Sequence, residues 1–244
     1  MAPPKAKTKQ QHSPTHSAPA QNPPAQTAAT QSATAQTATA PKAWIQPKRG
    51  PMAVDLPPDT EIMRTVRLLA ADRNLHLTGL AELTSADPVI TLELIRVANA
   101  TFFAADRPTI SDVKTAVIRL GQTAVVDILD SISARPPIGD PAVAQVFEAI
   151  RGLARQTATV CRIVGEISQP QIARLAESAG LFMLIGQMVA CAYLGPAFVE
   201  DFRSRKRTAL VYRLQQEHNI DVPMLQLDYL RSHGVPTFLF YAFD

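Results

Sequence analysis

The chain has 244 residues, enough for one or two ordinary domains, and carries 24 lysines and arginines against 21 aspartates and glutamates. The surplus is uneven: residues 1–50 contain Lys5, Lys7, Lys9, Lys42, Lys48 and Arg49 and no acid, so residues 51–244 hold 18 cations against 21 carboxylates. The basic pI of about 9.0 is therefore set by the N-terminal segment, and a mildly acidic remainder argues against nucleic acid as the partner of the folded part.

Residues 1–50 consist largely of Ala, Gln, Thr and Pro, with Gln-Thr-Ala-like units and almost no large apolar side chains. Nothing there can offset the entropy of ordering, so the composition predicts a disordered low-complexity arm. Trp44, the single tryptophan, stands beside Ile45 near its end and is a candidate docking motif or a cover for the domain edge. The lysines of the arm have no apolar run behind them, so no secretory signal is expected. Cys161 and Cys191 are the only cysteines and form no CxxC pair, so a reducing, cytoplasmic setting is expected, with both thiols buried.

From Pro57-Pro58-Asp59 the pattern turns helical. Ile62, Val66 and Leu69 give a first amphipathic face, and Leu75 to Leu83 reads as a short second helix with Thr78 as a candidate cap. Residues 87–121 read as helix, turn, helix. Asp87 can cap, Pro88 occupies the first helical position, where its missing N–H loses nothing, and Leu92, Ile95 and Ala98 recur at helical spacing. Phe102-Phe103 and Asp106-Arg107-Pro108 end that helix. Ser111 is the expected cap of the next, with Val113, Val117 and Leu120 inward and Gly121 closing it. Residues 122–134 form a fifth helix.

Asp140 then caps a long pattern over 141–167 whose apolar positions are Val143, Val146, Phe147, Ile150, Leu153, Val160 and Val164. Further helical patterns cover 171–194, 197–218 and 222–233, punctuated by Gly195-Pro196 and Gly234. No stretch sustains period-two alternation, so the expected fold is all-α: one multi-helix bundle of nine or ten helices over residues 51–244, preceded by the arm. Between Glu177 and Glu200 there is no charge, a window long enough to cross a membrane. Gln187, the three glycines at 180, 186 and 195, and Pro196 favour a buried core helix instead, so no membrane span is expected.

The Asp87-Pro88 opening, RVANATFF at 96–103, and Ile110-Ser111 leading to AVIRLG at 116–121 resemble, in order and spacing, the HDOD family of bacterial signalling proteins. The resemblance runs over about residues 56–243. It implies an HD-like helical bundle and a non-catalytic output or adaptor role exercised through an unidentified protein partner. HDOD domains are similar to the HD superfamily of metal-dependent phosphohydrolases, in which a His-Asp pair on a buried helix helps bind metal. Against the family pattern Gly-Leu-Leu-His-Asp-Ile-Gly this chain reads Gly180-Leu181-Phe182-Met183-Leu184-Ile185-Gly186, so Met183 takes the His position and Leu184 the Asp position. A divalent metal that activates water needs imidazole or carboxylate ligands; a thioether suits soft Cu(I), and leucine is no ligand. The stretch Ile150–Arg155, where a further His would be expected, has none, and the three histidines outside the arm, His76, His218 and His233, include no His-x-x-x-His pair. No catalytic residue, metal or cofactor is therefore expected. A residual HD-type phosphohydrolase acting on a nucleotide is the alternative, and nucleic-acid binding through the arm is a third reading.

Arg96 and Asn99, three apart on one helix face, join Lys114 and Arg119 as candidate partner-binding residues. Asn99 also suits a structural role satisfying backbone groups. Arg203, Arg205, Lys206 and Arg207 form the only dense basic cluster outside the arm, a solvated helix end or a candidate anion site. His233, before Gly234, is expected to complement a helix C-terminus. Phe238, Phe240, Tyr241 and Phe243 would leave an apolar end in need of cover.

Overall fold

The computed structural model describes residues 53–70, 76–100, 108–204 and 207–236, all within one compact unit, residues 45–244. The arm, Trp44-Ile45, Phe102-Phe103, Asp106-Arg107 and the aromatic C-terminus lie outside the described residues.

Among the described residues there are ten α-helices and no strand: α1 (Thr60–Ala70), α2 (Leu77–Thr84), α3 (Pro88–Ala100), α4 (Val113–Ser133), α5 (Pro141–Ser168), α6 (Ala173–Phe182), α7 (Ile185–Leu194), α8 (Pro196–Ser204), α9 (Arg207–His218) and α10 (Val222–Ser232). A 3-10 turn, Pro170–Ile172, leads into α6. Aspartates start five of these helices, Asp112 at α4 among them, by accepting from amides that have no intrahelical partner. The Oδ1 atoms of Asp59, Asp87, Asp140 and Asp221 receive Ile62 N at 3.2 Å, Ile90 N at 2.7 Å, Val143 N at 3.0 Å and Met224 N at 3.0 Å.

Two expected caps fall elsewhere. Asp112, not Ser111, caps α4 through Thr115 N, because a carboxylate one residue later reaches the free amide. Thr78 lies inside α2, whose first turn follows His76 with no side-chain cap. The two helices expected to meet at Gly121 do so within α4, where φ of 75° and ψ of 166° interrupt the helical path in a region that favours glycine.

The core is continuous. Ile90, Leu92, Leu94 and Ile95 of α3 and Leu181, Phe182, Leu184, Ile185, Met188 and Val189 of α6–α7 are fully buried. The segment 170–194 is long and apolar enough to cross a membrane, yet 72% of its 18-residue apolar stretch is buried inside the domain. It is also not one helix: α6 ends at Phe182 and α7 begins at Ile185, so the chain breaks at Met183 and Leu184.

The long α5 forms where expected but turns its second half the other way. Val143, Val146, Phe147 and Ile150 are buried, whereas Leu153, Val160 and Val164 are 41%, 59% and 57% exposed. The residues facing inward there are Ala154, Ala158 and Gly165. The reason is the closeness of α5 to α6, the most extensive helix contact in the domain. A Cβ at Gly165 would fall 2.7 Å from Ala173 Cα, and one at Gly180 would fall 2.8 Å from Cys161 Sγ. Only small side chains fit between backbones at that distance, so the large ones point out. Cys161 is accordingly half-buried rather than buried, while Cys191 is enclosed.

Candidate functional site

Charged side chains in the interior organise the front of the domain. Arg151 is 2% exposed, on the same face of α5 as Phe147 and Ala154. Its Nε lies 3.1 Å from Asp87 Oδ2, Nη1 lies 2.7 Å from Glu148 Oε1, and Nη2 donates to Pro57 O at 2.5 Å. The guanidinium carbon also sits 5.0 Å from the Phe147 ring centroid. The Nε–Oδ2 distance is that of an ion pair, but the N–H is not aligned as a hydrogen bond. Burial pushes the Asp87 carboxyl above its ordinary value, with Arg151 pulling in the other direction.

The same network pins the segment entering the fold. Asp59 N donates to Asp87 Oδ2 at 3.2 Å, Arg155 Nη2 to Asp59 Oδ2 at 3.1 Å, Arg135 Nη1 to Leu56 O at 3.2 Å, and Tyr229 Oη to Val54 O at 3.2 Å. Tyr229 remains a neutral donor because burial pushes its pKa up to about 12. Residues 54–59 are thus a strap held by side chains from the cap of α3, the turn after α4, α5 and α10. Beside it, Glu93 is buried in α3 and joined by Arg135 and by Arg96, at 2.7 Å. Burial alone would raise Glu93, but the hydrogen bonds from Arg135 and Arg96 outweigh it and hold the carboxyl below its usual range.

These contacts absorb most of the predicted partner-binding residues. Arg96 braces Glu93. The Asn99 side chain clamps one backbone unit, Nδ2 donating to Ile110 O at 3.0 Å and Oδ1 accepting from Ile110 N at 2.9 Å, so the chain that leaves α3 is tied back to it. Arg119 donates to Pro108 O at 3.3 Å. In the basic cluster, Arg203 donates to Gln145 Oε1 at 3.0 Å and links α8 to α5. Arg205 and Lys206 lie outside the described residues, as does the side chain of Arg207. His233 caps α10 as expected, its Nδ1 2.8 Å from Tyr229 O and its ring against the Tyr229 ring.

Lys114 alone of the four leads to a cavity. A cleft of about 590 Å³ opens where α2, α3, the start of α4, the end of α5 and α6 meet. Lys114, Arg162 and Arg174 line it together with Glu82, Asp112, Glu166 and Glu177. Arg162 pairs with Glu166 at 2.6 Å and lies 3.6 Å from Glu177. Burial raises the Glu177 carboxyl, against the pull of Arg162 and with a further push from Glu166. The wall therefore offers both signs of charge over an apolar floor that includes Val113 and Leu181, and no histidine or cysteine lines it. This suits recognition of a polar surface better than nucleophilic or metal chemistry.

The position of the HD superfamily's ligand pair falls at the α6–α7 break. Leu184 is fully buried among core residues and Met183 is half-buried. Neither supplies nitrogen or oxygen, so the residues present do not fit a hydrolytic divalent ion. Among the described residues one group has ligand atoms close enough for an ion: Asp201, Glu217 and His218. Arg213 occupies the middle of that group, 3.1 Å from Asp201 and paired with Glu217, so its charge is already balanced by the protein.

An all-α helical domain with a mixed-charge cleft is the class these features define. The chain belongs to the HDOD domain family, whose model matches residues 56–221. Its fold is similar to that of the MmoQ response regulator of Methylococcus capsulatus strain Bath, with a TM-score of 0.62 and 21% identity over 76% of this chain and 71% of that one. A second crystal structure of MmoQ gives a TM-score of 0.58 and 19% identity over 78% and 75% of the two chains. A virulence factor of Campylobacter jejuni gives a TM-score of 0.62 and 18% identity over 78% and 68%. None of the curated proteins matches the chain.

Proposed function

We propose that this HDOD domain is a non-catalytic output or adaptor module of bacterial signal transduction, acting in the cytoplasm by protein–protein contact. The observation that carries this reading is the α6–α7 break, where Met183 and the enclosed Leu184 stand in place of metal-binding side chains. Without a ligand set there is no means at that position of lowering the pKa of a water. Family membership and the likeness to a protein described as a response regulator support the signalling context. The cleft bearing Lys114 and Arg174 is the contact face, because its charged groups line a formed concavity while Arg96, Asn99 and Arg119 are engaged within the fold.

Two measurements test this. The purified chain, supplied with Mn²⁺ or Mg²⁺, is expected to leave cyclic dinucleotides, (p)ppGpp and simple phosphoesters intact; turnover that a chelator abolishes would overturn the non-catalytic reading. A partner captured by the full chain and then purified should bind it directly. Lys114→Glu with Arg174→Glu should weaken that binding at least tenfold, about 1.4 kcal/mol, without lowering Tm. Unchanged binding by the folded double variant would remove the cleft from the interface.

A further inference from the structure

The second half of α5 presents a continuous apolar stripe to solvent. Leu153, Val160, Ile163, Val164 and Ile167 are 41%, 59%, 44%, 57% and 81% exposed, and Ile172 in the following turn adds another 40%. Leu153, Gln156, Val160, Ile163 and Ile167 follow one another at intervals of three, four, three and four residues. That is the a/d spacing of a helix seam that packs against a second helix. The stripe runs for roughly 20 Å at the helical rise of 1.5 Å per residue. From these exposures its apolar surface is on the order of 500 Å², near the upper end of what a monomer leaves bare.

We infer that this stripe is a homodimer interface, covered by α5 of a second copy lying antiparallel across it. The area supports a second copy. Two such faces, if fully covered, together bury on the order of 1,000 Å² of apolar surface alone, the lower bound that a specific interface has to clear before its polar rim is counted. Symmetry supports it too. With a two-fold axis at Val160, Leu153 meets Ile167 of the other copy and Thr157 meets Ile163, so each large apolar group finds an apolar or uncharged partner. The seam itself has no charge: Gln156, Thr157 and Thr159 are the polar residues along it. An antiparallel arrangement opposes the helix dipoles, whereas a parallel one aligns them. The tight α5–α6 packing is the structural cause, since it sends the small residues inward and leaves the large ones out.

The test uses the full chain. Sedimentation equilibrium at micromolar concentration should give twice the 26.4 kDa chain mass. Val160→Glu and Ile167→Glu should each give a monomer with unchanged circular dichroism and with the Tm that the wild type approaches on dilution to monomer, because both positions are exposed within one chain. Leu68→Glu, equally exposed on α1, should remain dimeric. In a Cys161→Ala background, Val160→Cys should cross-link to itself on mild oxidation, while Leu153→Cys should not. A monomeric wild type, or a dimer indifferent to Val160→Glu, overturns the proposal; self-cross-linking at Leu153→Cys overturns the antiparallel arrangement. A chain that is monomeric until residues 1–50 are removed would assign the stripe to the arm instead.

Discussion

Replacing Arg151 by methionine should be among the most damaging single changes in the domain, and its damage should depend on pH. The substitution keeps much of the apolar stem but removes the charge that faces Asp87, which is 0% exposed. The pair to Glu148 contributes little, since that carboxylate is 54% exposed and solvated. The backbone acceptor at Pro57 loses its donor as well. Breaking a buried pair by removing one partner costs about 3–5 kcal/mol. Typical domains have only about 5–15 kcal/mol of net stability.

The pH dependence follows from Asp87. Burial already raises its pKa above the ordinary 3.8, and loss of Arg151 raises it further. An acid whose folded value is raised favours folding while protonated and loses that advantage as pH rises through the folded value. The deficit of Arg151→Met relative to wild type is therefore full above the raised Asp87 value of the variant. It shrinks as pH falls through that value, leaving only the lost packing and the Pro57 bond. Urea unfolding of both proteins near neutrality and at an acid pH approaching 3.8 measures this directly. Adding Asp87→Asn to Arg151→Met should recover about 1–3 kcal/mol of coupling at neutral pH. A deficit under about 1 kcal/mol, or one unchanged between the two pH values, would refute the reasoning.

Asn99→Ala removes both bonds to Ile110 and should cost about 1–3 kcal/mol in chemical unfolding, with faster hydrogen exchange at the Ile110 amide; an unprotected amide in the wild type would show that the clamp does not hold. Gly165→Ala forces a methyl to within 2.7 Å of Ala173 Cα and should destabilise by about 1–3 kcal/mol, while Gly152→Ala, which meets nothing, should not. Glu93 is held below its ordinary 4.5, so its contribution is present above that value and is lost as pH falls through the folded one. Arg135→Met should be less stable than wild type near neutrality, and the two unfolding curves should converge in acid below the ordinary glutamate range; parallel curves at all pH values would show that Glu93 is not the group concerned.

Much of the local structure is legible in the sequence because it depends on neighbours a few residues apart. Asp87-Pro88 and Asp140 announce helix starts, Gly121 announces a break, and the absence of period-two alternation leaves an all-α fold. That Met183 and Leu184 offer no nitrogen or oxygen ligand is likewise a matter of residue type. At the start of α4 Ser111 and Asp112 both suit the capping role by residue type, and geometry chooses the carboxylate.

What required the tertiary structure depends on partners far apart in the chain. Arg151 meets Pro57 across 94 residues and Tyr229 meets Val54 across 175, so the strap has no local signature. The one available sign was a cation among the buried apolar positions of α5. Asn99 and Arg96 look like a free polar edge in sequence; in the fold Asn99 bonds the Ile110 backbone, and Arg96, with 45% of its side chain still exposed, pairs with the buried Glu93. The facing of α5 shows the division most plainly. Periodicity establishes that the helix has a row of large apolar residues, but not that this row is the buried one. That was decided by how near α6 comes: where two backbones almost touch, the interior takes Ala and Gly, and the valines and isoleucines are left outside.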